Sequence, residues 1–156
     1  MKSVVRWLLA LIAGVLTAAV AGSVIQTQLN LARLTALDVP ISLDARFETT
    51  AFDLLHFAPI YAIIVALAFL IALLTAGALA RALGRAWFGL HAIAGFVAIA
   101  TALGVMSMML PVTAIAAARS VTGVVLLSVG GGLGGCVYAA LLKPRPAVQA
   151  RQNGQN

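Results

Sequence analysis

Gly130, Gly132 and Gly135 spell G-x-G-x-x-G within LLSVGGGLGGCVYAALL, Leu126 to Leu142. These are the letters of a dinucleotide-binding turn. That chemistry needs a strand before the glycines, a helix opening inside them and an acidic residue about 20 positions on. Here the glycines lie midway in an unbroken apolar run, and no Asp or Glu follows Asp53. A phosphate cradle is therefore rejected. The same residues form overlapping G-x-x-x-G pairs, Gly130/Gly134 and Gly131/Gly135, a strip without side chains that another helix can approach closely.

The other chemistry-bearing residues are sparse. His56 and His91 suggest paired haem ligands, but the span layout below places them near opposite membrane faces, roughly 25 Å apart at 1.5 Å per helical residue. His91 lies within an apolar run, where an ionisable side chain is a functional flag by default. The preferred reading is a neutral imidazole bonded to a carbonyl near the interface, beside Trp87 and Phe88. Met106, Met108 and Met109 supply thioethers that suit copper(I), but methionine is also an ordinary gap-filler and Cys136 lies too far along the next run to join them. One cysteine makes no intrachain disulfide. Neither G-x-S-x-G nor H-E-x-x-H occurs. No catalytic residue, metal or cofactor is expected.

The elements that must position these residues follow from composition. The chain has 156 residues, 63% of them hydrophobic and 9% charged, with a mean hydropathy of +1.09. A soluble domain is about 45–50% apolar, so lipid is the expected solvent. The net charge of +6 is scattered in ones and twos rather than gathered with aromatics into a nucleic-acid-binding face. Nucleic acid is not an expected partner.

A bilayer core takes about 20 apolar helical residues. Four runs meet this without Asp, Glu, Lys or Arg: Trp7–Ile25, Phe57–Ala80, Ala86–Leu110 and Val121–Leu142. The expected fold is an all-α membrane protein, a four-helix transmembrane bundle forming one domain over residues 1–142, followed by a disordered cytoplasmic tail, 143–156. The first run has a rival reading as a cleaved signal peptide, with Lys2 and Arg6 before it and Ala19-Val20-Ala21 as the cleavage site. Apolar character continuing through Val24 and Ile25 favours a retained helix. Lys2, Arg6, Arg81, Arg85, Lys143, Arg145 and Arg151 fall on one side of the four spans, and Arg33, Arg46 and Arg119 on the other. The positive-inside rule then places both termini in the cytoplasm. The Ala-, Leu- and Gly-rich composition points to a bacterial cytoplasmic (inner) membrane.

The sizeable outer segment, residues 26–56, carries all four acids: Asp38, Asp44, Glu48 and Asp53. Span one is expected to continue as helix past the membrane surface, with Ser23, Gln26, Asn30 and Arg33 on one polar stripe. Asp38-Val-Pro40 breaks it, because proline lacks the donor and forces its predecessor out of the α region. A second, amphipathic helical segment follows from Ser42 or Asp44 to His56, with Ser42 as a possible cap. Two readings of this region stand. In one it lies on the leaflet or over the bundle with its polar stripe in water. In the other, Gln26, Asn30, Arg33, Arg46, Asp53 and His56 line one polar vestibule able to hold a ligand, with Asp53 and His56 sharing a proton.

Spans associate in lipid through close packing of small residues. The ladders are Gly14-Ala18-Gly22, Ala68-Ala72-Ala76-Ala80, Ala94-Ala98-Ala102 and Gly131-Gly135-Ala139. Spans one and four, which carry the glycines, are the expected tight pair, within the chain or between chains. Pro59 is expected in the first turn of span two. Three functions fit: a non-catalytic accessory or assembly subunit packing against other membrane helices, which is preferred; a small oligomeric transporter or channel, which the lack of any acid in the spans disfavours; or a lipid- or quinone-binding protein with its site at the outer vestibule.

Overall fold

A computed structural model describes residues 2–84, 86–109 and 115–142. It contains four long helices, α1 (Lys2–Thr35), α2 (Leu43–Leu83), α3 (Trp87–Met109) and α4 (Val121–Leu142), with a one-turn 3-10 helix at Ala116–Arg119. Each of the four is long and apolar enough to cross a membrane. They run alternately up and down. Arg6 meets Leu141, and Trp87 meets Ala139, so the start of α1, the start of α3 and the end of α4 share one end of the bundle, called here the termini end. The 36–42 connection and the 3-10 turn lie at the other, the turn end. The tail from residue 143 and Pro111 lie outside the described residues, as do Arg85 and Leu110.

The breaks follow from local chemistry. The α1 helix closes at Thr35, and Asp38 sits at φ 60°, a left-handed conformation that Asp tolerates better than most side chains. Ser42 then caps α2, its hydroxyl accepting from the Ala45 amide at 3.2 Å. At the far end Gly84 adopts φ 65° and donates to the Arg81 carbonyl, the left-handed glycine stop that ends many helices.

Two expectations are corrected. The segment from Leu43 to His56 is not a separate helix but the first part of α2, which runs 41 residues without interruption. Pro59 therefore lies well inside a helix rather than in its first turn. Proline there removes the amide that would bond the carbonyl of Leu55. Both Leu55 and Pro59 are exposed, so that carbonyl stands at the bundle surface rather than in its core. At 1.5 Å per residue α1 is about 50 Å long and α2 about 60 Å, against about 35 Å for α3 and α4. The excess of α1 and α2 lies at the turn end, where the two helices remain paired through Gln28 and Thr50.

The four helices form a ring in the order α1, α4, α3, α2, with α2 and α4 barely touching. The α4 helix is the most enclosed because glycine lines both of its sides. A Cβ built on Gly134 would lie 2.5 Å from the Gly14 carbonyl oxygen, and one on Gly14 would lie 2.9 Å from that of Gly134. On the other side a Cβ on Gly131 would meet the Gly95 oxygen at 2.5 Å, and one on Gly135 would overlap the His91 oxygen. So the strip that faces Gly14 and Ala18 of α1 is Gly130–Gly134, while Gly131 and Gly135 face α3. The pairing of the Gly14-Ala18-Gly22 ladder with Gly131-Gly135-Ala139 is off by one residue. The reason is angular: adjacent helical residues point about 100° apart, so two neighbouring glycine strips serve two neighbours. Gly22, the last step of the α1 ladder, instead makes room for the Tyr61 ring of α2.

Candidate functional site

At the turn end the six residues read as a vestibule divide between two faces of α1. Gln26 is buried, and its Oε1 accepts from the Ala117 amide at 3.4 Å. Arg33 donates to the Ala116 carbonyl at 2.7 Å and to Ser120 Oγ at 3.0 Å. These two side chains fasten the 3-10 turn to α1. One residue round the helix, the buried Thr27 hydroxyl donates to Asp53 Oδ2 at 2.6 Å, and Arg46 donates to Gln28 Oε1 at 3.3 Å. Those contacts join α1 to α2. Asn30 is half-buried on α1. His56 is exposed, stacked on Phe52 with ring centroids 4.0 Å apart, and its Nδ1 lies 2.9 Å from the Phe52 carbonyl. That nitrogen is thereby turned to its own helix rather than to Asp53. The arrangement is a set of inter-helix ties, with Thr27, Gln28 and Ser120 as partners that sequence periodicity did not single out.

A second polar cluster lies at the termini end, where all four helices contribute to a cavity of about 310 Å³. Its lining includes Arg6 and Trp7 from α1, Gly77 and Arg81 from α2, Trp87 from α3 and Tyr138 from α4. Arg6 is held by two bonds to the Leu141 carbonyl, at 3.0 and 2.7 Å, satisfying a backbone acceptor left over at the end of α4. Trp7 Nε1 donates to the Tyr138 hydroxyl at 2.9 Å, and Trp87 Nε1 to the Ala139 carbonyl at 3.0 Å.

His91 stands behind this cavity, fully buried between the Trp87 ring (4.4 Å) and the Tyr138 ring (5.4 Å). Its Nδ1 lies 2.7 Å from the Trp87 carbonyl. A carbonyl can only accept, so Nδ1 carries the proton and, in the neutral imidazole, Nε2 presents a lone pair. That Nε2 is buried with no partner among the described residues, as are Ser23 Oγ and the Tyr61 hydroxyl. Among the described residues no three His, Cys, Asp or Glu side chains gather where they could hold a metal ion.

The third feature is an apolar groove of about 730 Å³ between α2 and α3, the most loosely packed of the four seams. Ala68, Ala72, Ala98 and Ala102 line it, flanked by Leu67, Ile71 and Val105. Parts of two alanine ladders read from the sequence thus line this groove, while Ala76 and Ala80 of the first are buried within the bundle. Comparison with known proteins finds no match to a family model, a curated protein or a solved structure.

Proposed function

We propose that this protein is a non-catalytic subunit of a bacterial cytoplasmic membrane, threaded with both termini in the cytoplasm, which packs against a transmembrane helix of a partner protein. The α2–α3 groove carries this reading. Its small-residue stripes at four-residue spacing on both walls suit the close approach of a third helix, whereas an acyl chain needs no such stripe. Gly104 adds to the case. It stands seven residues after Val97, hence on nearly the same face of α3, and a Cβ there would meet nothing within 4 Å. Glycine costs a helix about 1 kcal/mol relative to alanine, and no neighbour among the described residues accounts for it. On this reading the α4 glycines serve as G-x-x-x-G packing within the chain, while the α2 and α3 ladders serve the partner.

The threading is supported by charge. Arg6 and Arg81 share the termini end, with Trp7 and Trp87 beside them as interfacial anchors, and all four acids lie between residues 38 and 53, near the turn end. A reporter active only outside the cytoplasm should work when fused at residue 45 and fail at residue 83; the reverse pattern overturns the orientation.

A photo-crosslinking side chain placed at Ala72 or Ala98 in cells tests the docking. Adducts with an apolar segment of a different membrane protein are expected from both positions, and not from Leu126, which is exposed on α4. Adducts confined to lipid, with purification as a partner-free monomer, would refute the proposal. Adducts between copies of this chain, together with ion or solute flux in liposomes, would favour the oligomeric transporter instead.

A further inference from the structure

We propose that the cavity at the termini end binds the headgroup of an anionic phospholipid that carries a free hydroxyl. Three observations independent of the α2–α3 groove converge on it. The first is uncompensated charge. Arg6 and Arg81 both line the cavity, and the Arg81 guanidinium makes no hydrogen bond to any described residue, while the chain's four acids lie between residues 38 and 53. Arginine recognises phosphate oxygens through charge-assisted, often two-pronged hydrogen bonds. Two arginines at one cavity without a carboxylate call for an anion from outside the chain.

The second is the orphaned acceptor. His91 is fully buried, and its unpartnered Nε2 faces the Gly77 wall: a Cβ on Gly77 would lie 3.7 Å from that nitrogen and 4.0 Å from Arg81 Nη1. A lone pair in that position takes a hydrogen bond from a donor, and a phosphate diester has none of its own. His91 does not itself line the cavity, so a headgroup hydroxyl that supplies it must reach past Gly77, which has no side chain in the way. Tyr138, whose oxygen accepts from Trp7, keeps its own proton to donate to a phosphate oxygen.

The third is placement. The cavity joins polar groups to an apolar wall of Leu73, Leu74 and Leu142, and Leu74 is 49% exposed on the outside of the bundle. At about 310 Å³ it stands at the bottom of the size range of small-molecule pockets, with room for a headgroup but not for its chains, which would run out along α2 into the bilayer.

Both tryptophans of the chain, Trp7 and Trp87, line the cavity, so their emission reports on its contents. The full-length protein in uncharged detergent is titrated with short-chain phosphatidylglycerol, phosphatidylmethanol, phosphatidylcholine and glycerol phosphate. Phosphatidylglycerol is expected to give a saturable change, several-fold tighter than the hydroxyl-free phosphatidylmethanol and at least about tenfold tighter than phosphatidylcholine. Arg81→Gln, at an exposed position, should weaken it about tenfold through loss of a charge-assisted contact. Gly77→Leu should abolish it by filling the cavity. Equal binding of phosphatidylcholine, or an unaltered response in Arg81→Gln, overturns the proposal. Equal binding of phosphatidylmethanol removes the hydroxyl and His91 from it. Glycerol phosphate binding as tightly as the lipid would make the ligand a soluble phosphate rather than a membrane component.

Discussion

Two alanine substitutions on α4, only two residues apart, should have opposite effects. At Gly134 an added methyl would sit 2.5 Å from the Gly14 oxygen, 2.9 Å from Ala18 Cβ and 3.0 Å from Phe69 Cε2. Ordinary C···O approach is about 3.3–3.6 Å, so α1 and α4 must separate by roughly 0.8 Å or more. A gap of that size forfeits about a quarter to a half of the dispersion attraction across the seam. Overpacking of this kind costs about 1–3 kcal/mol, offset by up to about 1 kcal/mol of helix propensity gained over glycine. At Gly132 the methyl would be 3.4 Å from the Ala92 oxygen and 3.8 Å from Phe96 Cβ, so the propensity gain of up to about 1 kcal/mol is largely kept. Gly134→Ala should therefore be less stable than Gly132→Ala by about 1–3 kcal/mol. Unfolding followed by circular dichroism as the SDS fraction of mixed micelles rises would measure the difference. Equal stability, or Gly134→Ala as the more stable variant, would refute the assignment of Gly134 to the α1 seam.

Three further outcomes follow from the polar ties. Arg33→Gln should loosen the 3-10 turn from α1, leaving Gln26 as its remaining tie; a loss of about 1.5–3 kcal/mol and faster amide exchange at Ala118 are expected, and unchanged exchange would count against it. Tyr61→Phe removes a buried hydroxyl that has no partner among the described residues, so thermal stability should hold or rise by about 1–3 kcal/mol; a clear drop would reveal a bond to that hydroxyl. Ser42→Ala should cost about 1 kcal/mol through loss of the α2 cap, with Ser42→Asp retaining wild-type stability in the same unfolding assay.

The spans, the break at Asp38-Val-Pro40 and the Ser42 cap were legible because each rests on local chemistry: a run of apolar residues, a missing amide, a side-chain oxygen three residues before an unpaired donor. The continuity of α2 through Pro59 was not, because a proline near the start of an apolar run reads the same whether the preceding amphipathic turns join it or stop. Nor was the assignment of the two glycine strips on α4, since Gly130–Gly134 and Gly131–Gly135 are equivalent by spacing and only the ring order of helices distinguishes them. The cavity at the termini end was hidden for a different reason. Arg6, Gly77, Trp87 and Tyr138 come from four different helices, so no periodicity relates them. Arg6 and Arg81 were informative from sequence only as charges that set orientation.

The unequal lengths of the helices have a mechanical consequence. Although Pro59 removes one backbone bond of α2, its turn-end portion is braced along α1 by Asp53–Thr27 and Arg46–Gln28, so the two paired helices, about 50 and 60 Å long, tilt together. A change of about 10° in the tilt of that pair, well within the range that membrane helices adopt, would sweep the 36–42 connection through about 10 Å at this length. The paired helices thus act as a pointer, magnifying small rearrangements within the lipid into displacements large enough for a distance-sensitive fluorophore at the tip to read.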